Sequence, residues 1–305
     1  MISGFLITGI LIERFDKPID IKRFYLRRFF KIYPHYLFVL IFAFLFIFIK
    51  GYFKVENHPA HLSHFLSYFF FIQNYVYIDQ LHSGFFTHLA HTWSLAVEEH
   101  FYLLYPLIVS CVFALIKSPL KRRSVLILLS LVCIIATVYY RRVSISVEYL
   151  VFYQMSIVRM DGLMMGCLLK FLEPFIERHN VKDSLWLGSV YFILALFAYF
   201  YFIVTGHYSV LVAGLGAVSL FMSAFKGFKP FVRVLENSIM RWIGKNSYGI
   251  YLWHLVVVGV LISFKSSMNL YVMLLMATGL SFFMGWLTTS TIERYFLSLR
   301  KKIVP

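Results

Sequence analysis

Charge is scarce in this chain: 14% of its 305 residues are Asp, Glu, Lys or Arg, where an average soluble domain carries about 25%. Hydrophobic residues make up 60% and aromatics 20%, with a mean hydropathy of +0.77. That balance excludes a water-soluble globular enzyme, and it excludes intrinsic disorder, which needs low hydrophobicity. Acidic residues are the scarcer sign, 14 against 29 Lys and Arg, for a net charge of +15. A basic surplus suits nucleic acid where it forms a solvated basic face. In so apolar a chain it reads as the Lys/Arg excess of cytoplasmic loops, and no nucleic-acid partner is expected. Cysteine is scarce too. Cys111, Cys133 and Cys167 each lie inside an apolar run with no CxxC spacing, which leaves a disulfide framework or a thiolate zinc site without support. The chain has no HExxH, no G-x-S-x-G elbow, no P-loop and no GxGxxG, so hydrolases and nucleotide enzymes of those types have none either. The opening MISGFLITGILIERF has neither a basic n-region nor a small-residue cleavage site, and is not expected to be a signal peptide.

What the chain does have is long apolar runs, at 1–12, 33–49, 65–78, 93–116, 125–140, 149–169, 185–204, 209–225, 248–264 and 270–289. Most can cross about 30 Å of hydrocarbon as helices. Backbone groups in lipid must be paired internally, so helices are expected rather than open strands. Residues 65–78 are too few for a span and suit a short re-entrant or interfacial helix. Residues 1–12 are also short, as though cut. The expected fold is an all-α polytopic membrane bundle, with about nine helical segments of an expected ten and the short helix near 65–78. No repeat or extramembrane domain is visible, so residues 1–305 read as a single transmembrane domain.

The basic residues set an orientation. Twenty-three of the 29 fall in residues 13–32, 117–124, 170–184, 226–247 and 291–305. These basic segments alternate with weakly charged ones if 65–78 does not cross. The basic side is cytoplasmic by the positive-inside rule, which puts the C-terminus in the cytoplasm. The same count leaves an even number of crossings if one helix precedes Met1.

Five groupings carry possible chemistry. The run Lys22-Arg23-Phe24-Tyr25-Leu26-Arg27-Arg28-Phe29-Phe30-Lys31-Ile32-Tyr33-Pro34 is either a topogenic loop beside anionic headgroups or an anion clamp, with Arg28 and Lys31 sharing a helix face. The run His91-Thr92-Trp93-Ser94-Leu95-Ala96-Val97-Glu98-Glu99-His100-Phe101-Tyr102 sets two carboxylates about a turn inside an apolar helix. A helix N-terminus favours anions, yet intramembrane ionisable groups mark function by default. Ser94 and Glu98 are one turn apart, so hydroxyl and carboxylate face the same way. Arg159 and Asp161 form a candidate buried pair, structural or functional, with Gly162 and Gly166 as a GxxxG packing motif. His254, one turn inside a span, suits a core histidine as well as a site residue. The histidines at 58, 61, 64, 82, 88, 91 and 100 crowd one region. Pro59 interrupts their spacing and no motif partner is present, so no metal is expected.

These strings together resemble acyltransferase family 3, the integral-membrane O-acyltransferases of cell-envelope glycans. The resemblance runs nearly end to end. It includes Ile2-Ser3-Gly4-Phe5-Leu6-Ile7-Thr8, Arg27-Arg28 with Lys31-Ile32-Tyr33-Pro34, and Trp93 to Tyr102 followed by Tyr105-Pro106. It continues through Arg159-Met160-Asp161-Gly162 with Gly166, Ser247-Tyr248-Gly249-Ile250-Tyr251-Leu252-Trp253-His254, and Glu293-Arg294. It implies about ten transmembrane helices in a bacterial inner membrane. It also implies transfer of an acyl group, usually acetyl, from acyl-CoA to a hydroxyl of a surface polysaccharide, lipopolysaccharide, peptidoglycan or similar acceptor. The acyl-CoA is a co-substrate, and no bound cofactor is expected. By the same resemblance Ser94 and Glu98 lie at the reaction site, and Arg27, Arg28 and Lys31 bind the donor. Trp93, His91, Glu99, Arg159, Asp161, Tyr248 and His254 are supporting. Lys31 stands where the family's RxxR motif has its second Arg; Lys lacks the bidentate fork.

The family's Ser-Gly-Phe-Leu-Ile string normally follows a first helix that carries an essential His. Here the string begins near position 2, so the chain is expected to be N-terminally incomplete and to lack that base. A positioned base typically contributes 10²–10⁴-fold, so this chain is expected to bind donor and turn over slowly. A lipid-linked glycan transporter and a non-catalytic family relative are the alternative readings.

Overall fold

A computed structural model describes residues 1–12, 20–49, 61–76, 89–143, 154–178, 185–205, 210–225, 229–263 and 269–304. Among these the regular structure is helical: α1 (Ile2–Ile12), α2 (Ile21–Ile49), α3 (His61–Phe69), α4 (Gln73–Val76), a 3₁₀ turn (Ala90–Thr92) leading into α5 (Trp93–Leu115), α6 (Pro119–Val143), α7 (Ser156–Arg178), α8 (Leu185–Thr205), α9 (Val210–Phe225), α10 (Lys229–Leu235), α11 (Ser238–Ser263), α12 (Leu270–Thr288), a π-helical turn (Thr289–Glu293) and α13 (Arg294–Ile303). Among the described residues, five stretches are long and apolar enough to cross a bilayer: Ile21–Phe46, Ala90–Leu115, Pro119–Val143, Ser238–Ser263 and Leu270–Ile303. Ile2–Ile12 and, within α8, Gly188–Phe200 are shorter apolar stretches. The protein is therefore an integral-membrane helical protein.

Helix starts follow local chemistry. Asp20 Oδ1 accepts the Arg23 amide at 2.9 Å, Asn237 Oδ1 accepts the Met240 amide at 2.8 Å, and Asn269 Oδ1 accepts the Tyr271 amide at 2.8 Å. Each side chain satisfies an amide that the first turn leaves without an intrahelical partner. These caps begin α2 and α11 well before the apolar runs at 33–49 and 248–264. The helices thus carry residues 22–31 and 241–245, which hydropathy alone reads as loop. Long basic side chains can lie along a helix while their charged ends reach water, so charge does not end the helix here. The stretch 65–78 is broken at Phe71, whose φ of 58° turns the chain between α3 and α4; residues 77 and 78 lie outside the described part. Of the crowded histidines, 58, 82 and 88 lie outside it as well.

Two compact units make up the fold. The first comprises Met1–Ile19, Pro106–Ser144 and Ile157–Trp242. In it α1 crosses α7 at close range. A Cβ on Gly4 would strike the Leu163 backbone, and one on Gly166 would strike Met1 and Phe5. Phe5 also packs on Phe221 of α9, centroids 4.9 Å apart. Arg141 from α6 reaches α7, donating to Asp161 Oδ2 and to the Val158 carbonyl, both at 2.7 Å. Arg159 and Asp161 do not form the pair that their proximity in sequence suggests. Residues two apart on a helix point in different directions, and Asp161 faces α6.

The second unit comprises Asp20–Tyr105, Ile145–Ser156 and Ile243–Pro305. Its α11 and α12 meet at two glycines: a Cβ on Gly249 would clash with Gly285 and with Thr289 Oγ1, and one on Gly285 would clash with Ile250. Small residues at such crossings let membrane helices approach backbone to backbone. Trp253 is fully buried beside Phe42, centroids 4.9 Å apart. The α3–α4 turn is tied in by polar groups. Tyr36 donates to the Tyr68 carbonyl at 2.9 Å, Gln73 to the Thr92 carbonyl at 3.1 Å, and Asn74 to Ser156 Oγ at 2.9 Å.

Candidate functional site

The second unit gathers most of the polar residues singled out above within otherwise apolar helices. Three clusters are built on α2, α5, α11 and the turn after α12.

In the first, α2 meets α5. The Arg28 guanidinium lies over the Tyr102 ring, 5.1 Å from its centroid, and 5.7 Å from that of Phe24. Tyr102 donates to Glu98 Oε2 at 2.9 Å, one turn along the same helix. Glu99 is next in sequence and turns elsewhere. Its Oε1 is buried with no hydrogen-bond partner among the described residues, and the charges acting on it are Glu98 and Arg28. Tyr25, a turn earlier on α2, donates to the Leu103 carbonyl at 2.6 Å.

The second cluster stands at the start of α5. Ser94 Oγ and the Tyr251 hydroxyl are 2.6 Å apart, and Tyr251 also donates to the His91 carbonyl. The His91 and His254 rings meet edge to face with centroids 4.5 Å apart. His254 Nδ1 is 2.6 Å from the Tyr251 carbonyl. Trp93, partly buried, opens α5 between these groups in sequence. His100 Nδ1 lies 2.6 Å from Ser156 Oγ.

The third cluster was not expected from the sequence. Lys31 pairs with Glu293 in the π-helical turn. The other Glu293 oxygen lies 3.7 Å from Nδ1 of His35, a histidine with no exposed surface. Nε2 of His35 is 2.7 Å from Thr288 Oγ1, which also accepts from Trp253 Nε1 at 3.1 Å. Tyr248 joins this group: its hydroxyl donates to the Ile32 carbonyl at 3.0 Å and its ring meets His35 edge-on at 5.4 Å.

The structure thus separates residues that the sequence grouped. Arg28 faces α5, and Lys31 faces Glu293. Arg27 is exposed. Ser94 makes its hydrogen bond with Tyr251, whereas Glu98 makes its own with Tyr102. Arg159 and Asp161 belong to the first unit. His35, Tyr251 and Glu293 received no role in the sequence reading. A signal was present in Glu293 itself, a single carboxylate after a long apolar helix and part of the family resemblance. For His35 only its position, one turn beyond Lys31, hinted at a link.

Apolar spanning helices enclosing paired charges and hydroxyls define an integral-membrane protein with a buried polar site. A family model described as an acyltransferase domain matches residues 1–292, and the chain belongs to that family, acyltransferase family 3. Among curated relatives, the peptidoglycan O-acetyltransferase OatA of Listeria monocytogenes is 28% identical over a match covering 83% of this chain and 43% of the relative. The O-acetyltransferase OatA of Staphylococcus aureus is 27% identical over 83% of this chain and 44% of its own length. The chain thus spans less than half the length of these relatives. No solved structure gives a significant match.

Proposed function

We propose that this protein transfers an acetyl group from acetyl-CoA to a hydroxyl of a bacterial cell-envelope glycan, with peptidoglycan as the first acceptor to test. The carrying observation is the pair of polar clusters on α5, Ser94 with Tyr251 and Glu98 with Tyr102, inside a helix apolar enough to span a bilayer. Burying such groups in hydrocarbon is costly, and where it occurs it marks a substrate path or reaction site. The activity named for the Listeria relative, peptidoglycan O-acetylation, is the reason for trying that acceptor first.

In the transfer, the acceptor oxygen attacks the thioester carbonyl carbon. The carbon–sulfur bond breaks, coenzyme A leaves as thiolate, and the acceptor's proton ends on that sulfur. Arg28 offers a planar, permanently charged donor set for the phosphates of coenzyme A. Ser94 and Tyr251 are hydroxyls suited to orienting the acceptor or the developing oxyanion. Glu98 is the carboxylate assigned in this reading to receive the acceptor's hydroxyl proton. The excess of Lys and Arg in the segments read as cytoplasmic supports donor entry from that side and a cytoplasmic C-terminus.

The test is acetyl transfer by the full chain in lipid nanodiscs, with radiolabelled acetyl-CoA and peptidoglycan fragments. Base-labile label on the glycan is the expected result. Donor binding without transfer to peptidoglycan or other envelope glycans would favour the non-catalytic reading, and no donor binding at all would overturn the proposal.

A further inference from the structure

We propose that Glu293 is a positioning residue for the donor site, and that Lys31 serves that site through its ion pair with Glu293 rather than by touching the donor's phosphates. The inference rests on the donor-binding reading of Arg28 given above. Three observations carry it. First, the carboxylate is the rooted partner: the Glu293 side chain is 5% exposed and that of Lys31 43%. Behind it stand His35, with Nδ1 3.7 Å from the second oxygen, and Thr288, which binds the far nitrogen of the same ring at 2.7 Å. Second, Glu293 closes a π-helical turn. Such a turn adds a residue to the helix, is uncommon, and often sits at a functional site. This one packs against α2. Third, Arg28 is one turn before Lys31 on α2, and its guanidinium lies over Tyr102 of α5, 5.1 Å from the ring centroid. Fixing Lys31 fixes the roll of α2, and with it the aim of Arg28.

Electrostatics favour this division of labour. A cation already matched by a buried carboxylate is a poor phosphate ligand, because the carboxylate repels the incoming anion. Removing Lys31 strands the buried Glu293 carboxylate, whereas replacing both partners by apolar side chains of similar volume is often tolerated. A contact made directly to the donor cannot be rescued that way.

The experiment is calorimetric titration of coenzyme A into the full chain in nanodiscs, for the unmodified protein, Lys31→Met, Glu293→Leu and the double variant, each first shown to be monodisperse. We expect each single change to weaken coenzyme A binding by about tenfold, a difference of ~1.4 kcal/mol, and the double variant to return to within about threefold of the unmodified protein. A double variant as weak as Lys31→Met, or a Glu293→Leu protein with unchanged affinity, overturns the inference. If a single variant does not fold, the exchanged pair Lys31→Glu with Glu293→Lys decides: retained binding supports positioning, and lost binding in a monodisperse protein overturns it. Failure of the unmodified protein to bind coenzyme A, by contrast, sinks the donor reading and this inference with it.

Discussion

Ser94 of α5 and Tyr251 of α11 share a 2.6 Å hydrogen bond between hydroxyls, although 157 positions separate them in sequence. The bond joins two helices that each have the length and hydropathy of a membrane span. Ser94→Ala removes the hydroxyl and leaves Tyr251 its bond to the His91 carbonyl, so the helices should stay docked. We predict that Ser94→Ala lowers kcat for acetyl transfer by about 10²-fold, the lower end of what one donor to a developing oxyanion supplies, with KM for acetyl-CoA unchanged. Initial rates against acetyl-CoA concentration check this. A raised KM with kcat intact would instead assign Ser94 to ground-state binding.

The Arg28 guanidinium lies over Tyr102, while Tyr102 holds Glu98. A cation over an aromatic face contributes about 0.5–2 kcal/mol depending on how dry it is. Lys would keep the charge but lose the planar fork. Arg28→Lys is therefore expected to weaken coenzyme A binding by about tenfold, and Arg28→Met by more. Titration calorimetry gives both, and equal affinity of Arg28→Lys and the unmodified protein would show that charge alone is read.

In the first unit, Arg141 and Asp161 are both buried and 2.7 Å apart. Losing one partner of such a pair typically costs 3–5 kcal/mol. We expect Asp161→Leu or Arg141→Met to lower the unfolding midpoint sharply in detergent, and the double variant to recover most of the loss. Thermal unfolding followed by size-exclusion recovery would show the order. A double variant no more stable than either single variant would contradict the pairing.

The sequence made the helical membrane fold legible because long apolar runs in lipid leave the backbone little alternative. The runs did not show where helices begin. Asp20, Asn237 and Asn269 cap their helices through side-chain oxygens, and in the first two cases the cap lies ten or more residues ahead of the hydrophobic signal. Of the candidate site, α5 was legible, since Ser94, Glu98 and Glu99 stand out against an apolar background. Their partners were not. His35 meets Thr288 across 253 positions, and Lys31 meets Glu293 across 262; no local period encodes such distances. The GxxxG spacing at Gly162 and Gly166 was legible as a pattern, but the pattern does not say which glycine is at the crossing.

That last point gives a contrast within a single motif. A Cβ at Gly166 would fall on the Met1 carbonyl and 2.8 Å from the Phe5 amide nitrogen, both backbone atoms, whereas a Cβ at Gly162 would meet nothing within 4 Å. Gly166→Ala must push α1 and α7 apart, and overpacking of this kind costs about 1–3 kcal/mol. Gly162→Ala meets no such resistance and gains up to ~1 kcal/mol from the better helix propensity of Ala. The two substitutions, four residues apart on one helix, are thus predicted to move stability in opposite directions. Gly4→Ala should resemble Gly166→Ala, because its Cβ would enter the Leu163 backbone from the other side of the same crossing. Reversible unfolding in mixed micelles measures all three. Matching losses at Gly162 and Gly166 would mean that both glycines line the contact and that α1 crosses α7 one turn away from where the structure puts it.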